Sequence, residues 1–357
     1  MIETLLIIFS SLVLIQVTYA LRFMFRYLRR IETLEMDDSP EKTSIIIPFK
    51  NEADRILPLL DSLNNQSIKQ EFYEIIFVDD GSNDGTTSII ENKINGPFQL
   101  IENNGVGKKA AIDSGIAIAT HDYILTVDAD VEFSPAYLAT LLYLKKSDII
   151  VLPVLMTGKK WIQLLGRIEF EWLQLFTYSS KKVHLCNGAN LLFKKELYQN
   201  AKKVRVDFEI PSGDDIFLLD AAKKMGVSIQ RLNHNNLLVR TPAPVSFKAL
   251  EGQRQRWMNK MKGVQEDKLY GETLLLLSLQ VALITTLAFL FILPAPWLLL
   301  IPIASKFLIE IIISFVVGHK GFTAGRVIAI LLHQIIYPFL ILKRVIRMYS
   351  KKEPTWR

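Results

Sequence analysis

The sequence predicts an α/β domain with a largely parallel sheet, set between apolar segments at both ends. Three observations lead there. Short apolar runs alternate with helix-like segments from Thr43 to about residue 265, the texture of repeated β–α units. A long apolar run fills residues 4–25, with Arg26, Arg29 and Arg30 directly after it. Apolar stretches return from residue 272 onward. The 357 residues are 50% hydrophobic, more than a soluble domain needs, which favours membrane segments at the ends.

At the N-terminus the basic residues follow the apolar run, and no small-residue cleavage site is present. A signal peptide would carry its charge first. Residues 1–30 are therefore expected to be a retained transmembrane anchor, with the following domain on the cytoplasmic side. Residues 31–42, ending in Asp37, Asp38, Ser39 and Pro40, read as a linker. Strands are expected at Thr43–Ile47, Glu74–Val78, Tyr123–Val127 and Asp148–Val154, with helices near 53–65, 84–94, 108–119 and 135–146.

Residues 266–357 read as a C-terminal membrane region. Spans are expected at about 272–293 and 296–317, the second holding Lys306 and Glu310, four apart and able to pair. The segment at about 326–349 is broken by Pro338 and carries Arg326, His333, Tyr337, Arg344, Arg347 and Lys351 near one stripe. An interfacial helix is preferred there over a further span, because three spans keep the tail of Lys351, Lys352 and Arg357 on the cytoplasmic side. Residues 161–178 mix Trp161, Phe170, Trp172 and Phe176 with charges, and both a core helix and a membrane-surface helix near an acceptor entry fit.

The net charge is +6, and many of the Lys and Arg residues flank apolar runs, which favours an anionic membrane surface over nucleic acid. Cys186 is the single cysteine, so an internal disulfide is excluded.

Five clusters and one glycine–lysine segment between two of them carry chemistry. Ile45–Phe49 runs into Lys50, Asn51 and Glu52 at a strand end, where open α/β sheets bind ligands. Ile75–Val78 ends in Asp79 and Asp80, whose carboxylates can accept hydrogen bonds from a base or ribose. Tyr123–Val127 ends in Asp128-Ala129-Asp130, hard oxygen ligands suited to a divalent cation that bridges a diphosphate. Between the last two, Gly105-Val106-Gly107-Lys108-Lys109 opens a helix beside which a phosphate can sit; it is not a P-loop. Ser212-Gly213-Asp214-Asp215 offers a general base, and Gln253-Arg254-Gln255-Arg256-Trp257 offers a diphosphate partner and a sugar or base platform. Taken singly, each also fits an ordinary strand end, helix cap or interfacial helix.

In their order, these clusters resemble family 2 glycosyltransferases of the GT-A fold, and within them the membrane-bound branch of cellulose, chitin, hyaluronan and poly-N-acetylglucosamine synthases. The resemblance covers residues 42–262, and residues 253–257 fit that branch's Gln-x-x-Arg-Trp pattern. It implies a GT-A nucleotide-diphospho-sugar transferase domain over residues 43–265 with a mostly parallel sheet. Pro48, Asn51 and Glu52 would line the nucleotide pocket, Asp79 and Asp80 would hold the base and ribose, and Lys108 matches the lysine of a Gly-Lys-x-x-Ala segment. Asp128 and Asp130 match the metal and diphosphate motif, with Mg²⁺ or Mn²⁺ as the cofactor. Asp215 would be the base of an inverting displacement, with Asp214 beside it. Gln253, Arg256 and Trp257 would bind the diphosphate and frame the acceptor. Asp113 stands where many relatives have Asn and receives no role, while Asn187-Gly188-Ala189-Asn190 resembles the strand segment near the acceptor.

The implied partners are a nucleotide-sugar donor (by default a UDP-sugar), a lipid-linked or glycan acceptor, the bilayer and a membrane partner subunit, with no nucleic acid. The implied location is a bacterial inner membrane, multi-pass, with the catalytic domain cytoplasmic. A processive polysaccharide synthase subunit and a catalytically inactive nucleotide-sugar-binding scaffold are the competing expectations.

Overall fold

The computed structural model describes residues 2–29, 34–180, 182–203, 213–261, 300–318 and 323–349. The expected span at 272–293, Ser212 and the basic tail lie outside these residues.

The main sheet has seven strands: β1 (Thr43–Phe49), β2 (Tyr73–Asp79), β3 (Gln99–Glu102), β4 (Tyr123–Val127), β6 (Ile149–Val151), β8 (Asn190–Lys194) and β9 (Ile229–Arg231). Their order is β3-β2-β1-β4-β8-β6-β9. The pairs β1–β2, β1–β4, β2–β3 and β6–β9 are parallel, while β8 runs antiparallel to both β4 and β6. A second sheet joins β5 (Glu132–Phe133), β10 (Val239–Pro242) and β7 (Val154–Thr157). The mostly parallel α/β architecture expected from the sequence is present.

β1 is buried along its whole length, so its apolar run is continuous rather than alternating. Ile45, Ile47 and Phe49 face one core with Phe77, Leu125 and Val127. Ile46 faces the other, with Ile76, Val78 and Ile124 and the helix α4 (Lys108–Ile118). α2 (Leu57–Asn64), α3 (Thr86–Lys93) and α5 (Tyr137–Leu142) match the other expected helices, in shortened form.

The expected strand Asp148–Val154 is in fact two strands. Pro153 has no N–H to continue a ladder, and its carbonyl instead accepts from Val239 N at 3.1 Å and Asn190 Nδ2 at 2.8 Å. The chain passes there from the main sheet to the small one. The linker is also more fixed than expected. Lys145 N donates to Glu35 O at 2.9 Å and Glu41 N to Leu142 O at 2.8 Å, tying it to the end of α5.

Five of the described helices pack against one another, and one of them, α6 (Trp161–Ser179), also packs on β7. α1 (Ile2–Arg29) packs on α6 and α10 (Leu300–Val317). α11 (Ala324–Tyr349) packs on α6, α10 and α9 (Phe247–Met261). Lys306 and Glu310 pair within α10 at 3.0 Å, both buried. Among the described residues, one segment is long and apolar enough to cross a membrane by length and composition, Ala324–Arg344. Its helix continues through Pro338. The polar stripe that favoured an interfacial helix points inward: Arg326, His333 and Arg344 are buried, while Ile328, Leu332, Ile335, Phe339, Leu342 and Ile346 are exposed. Residues 2–29, expected as part of an N-terminal anchor, form the helix α1; it is not the segment that meets the length and composition of a span.

Candidate active site

Parallel neighbours end at the same edge of a sheet. The order β2-β1-β4 therefore brings the first three clusters side by side. Asn51 turns the chain out of β1 in a left-handed conformation, φ +54°, unusual for a residue other than glycine. Hydrogen bonds to the next loop hold it: Asn51 N donates to Ser82 Oγ at 3.0 Å and Asn83 N to Asn51 Oδ1 at 2.9 Å. Glu52 N donates to Thr86 Oγ1 at 2.8 Å.

Glu52, Asp128 and Asp130 form an acidic wall. Burial pushes the Glu52 carboxyl up to about 7, with Arg55 opposing and Asp130 and Asp128 adding to the rise. Burial also pushes Asp130 up to about 6, helped by Asp128. Arg55 Nη2 donates to Glu52 Oε1 at 2.8 Å, and Arg55 Nη1 lies 3.9 Å from Asp130 Oδ2. Glu52 Oε2 is buried with no hydrogen-bond partner among the described residues. A wall with surplus negative charge and an orphaned carboxylate oxygen fits a divalent cation with hard oxygen preference. Among the described residues no group of three or more His, Cys, Asp and Glu side chains is placed to hold a metal ion by itself.

The opposite wall is the start of α8 (Asp214–Met225). Gly213 enters it at φ +106°, a conformation open to glycine. Asp214 and Asp215 are both buried. Asp215 Oδ2 accepts from Gly188 N at 3.0 Å and Oδ1 from Ile216 N at 2.8 Å, which fixes the plane of its carboxylate. Gly188 has to be small: a Cβ there would meet Asp214 Oδ2 at 3.2 Å and Lys108 Nζ at 3.5 Å. Lys108 joins the two walls. It ion-pairs with Asp128. Burial would lower its pKa, but Asp128, then Asp214 and Asp215, outweigh this and hold it above its ordinary value.

α9 closes the cleft with Gln253, Arg256 and Trp257. Burial depresses the Arg256 guanidinium. The whole cleft has a volume of about 1460 Å³ and also reaches Tyr19 and Phe23 of α1, Trp172 and Phe176 of α6, and Tyr337 of α11.

Of the expected site residues, Pro48, Asn51, Glu52, Lys108, Asp128, Asp130, Asp214, Asp215, Gln253, Arg256 and Trp257 line this one cleft. Asp79 and Asp80 sit behind its wall. Asp79 Oδ1 accepts from Ser82 N at 2.8 Å, and Asp80 Oδ1 accepts from Gly107 N at 2.8 Å. Asp79 thus braces the loop against which Asn51 is held, and Asp80 braces the loop that leads into Lys108. Asp113, left without a role, bonds Tyr198 Oη at 2.8 Å and Lys202 Nζ at 2.7 Å, away from the cleft.

Sequence reasoning missed Arg55 and a buried charge network behind Trp257. Glu169 Oε2 accepts from Arg254 Nε at 2.5 Å, and Glu169 Oε1 from Arg344 Nη2 at 3.1 Å. Burial alone would raise the Glu169 carboxyl; Arg254 first among its partners reverses this and holds it well below the usual carboxylate range. Glu171 pairs with Arg326 at 2.7 Å. The available signal was two carboxylates in the apolar run Ile168–Leu173, since buried charges demand partners.

Comparison with known proteins agrees with this geometry. Residues 44–200 match the family model for glycosyl transferase family 2. Undecaprenyl-phosphate 4-deoxy-4-formamido-L-arabinose transferases are similar over part of the chain. Those of Yersinia pestis (strain Pestoides F) and Yersinia pseudotuberculosis serotype O:3 (strain YPIII) are each 30% identical over 115 residues, 31% of this chain and 35% of theirs. The match thus spans about a third of the relatives' length. Among solved structures, the mannosyltransferase PcManGT from Pyrobaculum calidifontis, in complex with GDP-Man and Mn²⁺, superposes with a TM-score of 0.60 at 20% identity, covering 99% of this chain and 100% of that one. That likeness concerns the fold. Residues 44–200 form a glycosyl transferase family 2 domain, built on the GT-A fold.

Proposed function

We propose that the protein is an inverting glycosyltransferase that moves a sugar from a nucleotide-diphosphate donor to a lipid-linked or glycan acceptor at a membrane. The observation that carries this is one cleft lined by an acidic wall (Glu52, Asp128, Asp130), a half-buried lysine (Lys108) and a second carboxylate pair (Asp214, Asp215). The donor lies along the ends of β1 and β4, with Lys108 and Arg256 beside its diphosphate. A divalent cation held by Asp128 and Asp130 would neutralise charge on the departing nucleotide.

The chain's own residues do the rest. Asp215, aimed by Gly188 N, takes the proton of an acceptor hydroxyl. The acceptor oxygen forms its bond to the anomeric carbon as the bond to the diphosphate oxygen breaks, and the electron pair leaves with the nucleotide. Attack from the face opposite the leaving group inverts that carbon. Trp257 frames the acceptor end.

The membrane setting is part of the same reading. α1 (Leu14, Ile15, Leu21, Phe25, Leu28) and α11 carry exposed apolar side chains, while Gln16 of α1 and Arg326, His333, Gln334 and Arg344 of α11 are buried. Arg26 and Arg29 close α1, which supports a cytoplasmic catalytic domain.

Asp215→Asn tests the base. With a hydroxyl acceptor, transfer falls about a hundredfold or more. A second reading follows from the partial likeness to undecaprenyl-phosphate transferases: the nucleophile is a lipid phosphate oxygen, already ionised and in no need of a base. Near-wild-type turnover of Asp215→Asn selects that reading and removes Asp215 from the base role.

A further inference from the structure

We propose that Glu169 is a positioning residue for Trp257, and that through it α11 sets the acceptor end of the cleft. The inference rests on the transfer reading above. Glu169 stands in α6 with its side chain only 5% exposed, so its charge must be matched. Cations from two other helices match it, one on each oxygen: Arg254 of α9 at 2.5 Å and Arg344 of α11 at 3.1 Å.

Arg254 is the link to the cleft. Its guanidinium lies 4.3 Å from the centre of the Trp257 ring. Its other edges are also fixed, by Gly166 O at 2.7 Å and Gln253 Oε1 at 2.6 Å. Phe170, next to Glu169 in the chain, meets the same indole at 5.7 Å. One carboxylate thus sets the plane against which Trp257 rests and the side chain of Gln253. Arg344 is anchored a second time by Glu251 of α9, at 2.6 and 3.0 Å. Three helices therefore meet at two carboxylates, and a shift of α11 is passed to Trp257 through ion pairs rather than loose packing. A lysine at 254 would keep the charge but not the flat surface.

The test uses the full chain in nanodiscs with labelled donor and acceptor. Glu169→Gln lowers kcat/KM for the acceptor about tenfold or more while the donor KM is unchanged. In a Trp257→Leu background the same substitution adds nothing, because the two act in series. Arg254→Lys gives the same acceptor defect. A Glu169→Gln protein that elutes and melts like wild type and transfers at the wild-type rate overturns the proposal, as does an equal loss in both backgrounds, which marks a merely structural role. Should Glu169→Gln fail to fold, Arg254→Lys decides: an acceptor-specific loss supports the proposal and wild-type kinetics overturn it. A wild-type protein that consumes no donor contradicts the transfer reading instead.

Discussion

The main-chain N–H of Gly188 donates to Asp215 Oδ2 at 3.0 Å. The group assigned to take the acceptor's proton is therefore aimed by a residue 27 positions earlier in the chain, where a Cβ would press on Asp214 Oδ2 at 3.2 Å. Gly188→Ala is expected to displace the Asp214 carboxylate by a few tenths of an ångström and to lower kcat by up to about tenfold, since a misplacement of about 1 Å can cost a positioned group a hundredfold. Donor binding and the melting temperature should change little. Initial-rate kinetics beside a thermal melt check both halves.

Asp128 and Asp130 are expected to hold a cation before any donor arrives. Their wall carries excess negative charge, and the Glu52 Oε2 atom is left without a partner. A ligand that binds only the folded state raises its stability by mass action, about 2.7 kcal/mol at a hundred times its dissociation constant. Mn²⁺ should therefore raise the melting temperature in a concentration-dependent way, and Asp130→Asn should remove most of that shift. An identical shift in the variant would place the ion elsewhere.

Asp148 supplies a pH-dependent contribution to stability far from the cleft. Hydrogen bonds from Ser228 Oγ at 2.6 Å and Lys194 Nζ at 2.9 Å depress its carboxyl to about 2. The folded-state value lies below the ordinary one, so the stabilisation is fully present above about pH 4 and is lost as pH falls towards 2. The site is partly exposed, so screening reduces the effect to about 1 kcal/mol. Asp148→Asn should be less stable than wild type by about that amount at pH 6, and the gap should close on acidification. Urea unfolding at pH 6 and pH 3 measures it.

How much of this was legible in the sequence depended on local signals. β1, β2 and β4 are buried on both faces, so their apolar runs stand out, and the acidic residues that follow them mark the binding edge. Pro153 hid a change of sheet inside what reads as one strand. β8 is a five-residue run whose antiparallel placement depends on β4 and β6, not on its own residues. The loop contacts of Asp79 and Asp80 were not legible, because a carboxylate at a strand end looks the same in sequence whether it meets a ligand, braces a loop or does both. The Glu169 network escaped because its partners lie 85 and 175 residues away. The stripe on α11 was visible, but a stripe of charge reads equally well as facing water or facing a buried partner.

The most direct measurement is transfer itself. Purified protein in nanodiscs is given a panel of labelled nucleotide sugars with Mn²⁺ and bacterial membrane lipid extract, and products are identified by mass spectrometry and by the configuration of the new linkage. The expected result is one preferred donor, a glycosylated lipid or glycan product, and an inverted anomeric carbon. Wild-type protein that binds a nucleotide sugar, yet neither transfers nor hydrolyses it under any of these conditions, would contradict the proposed activity.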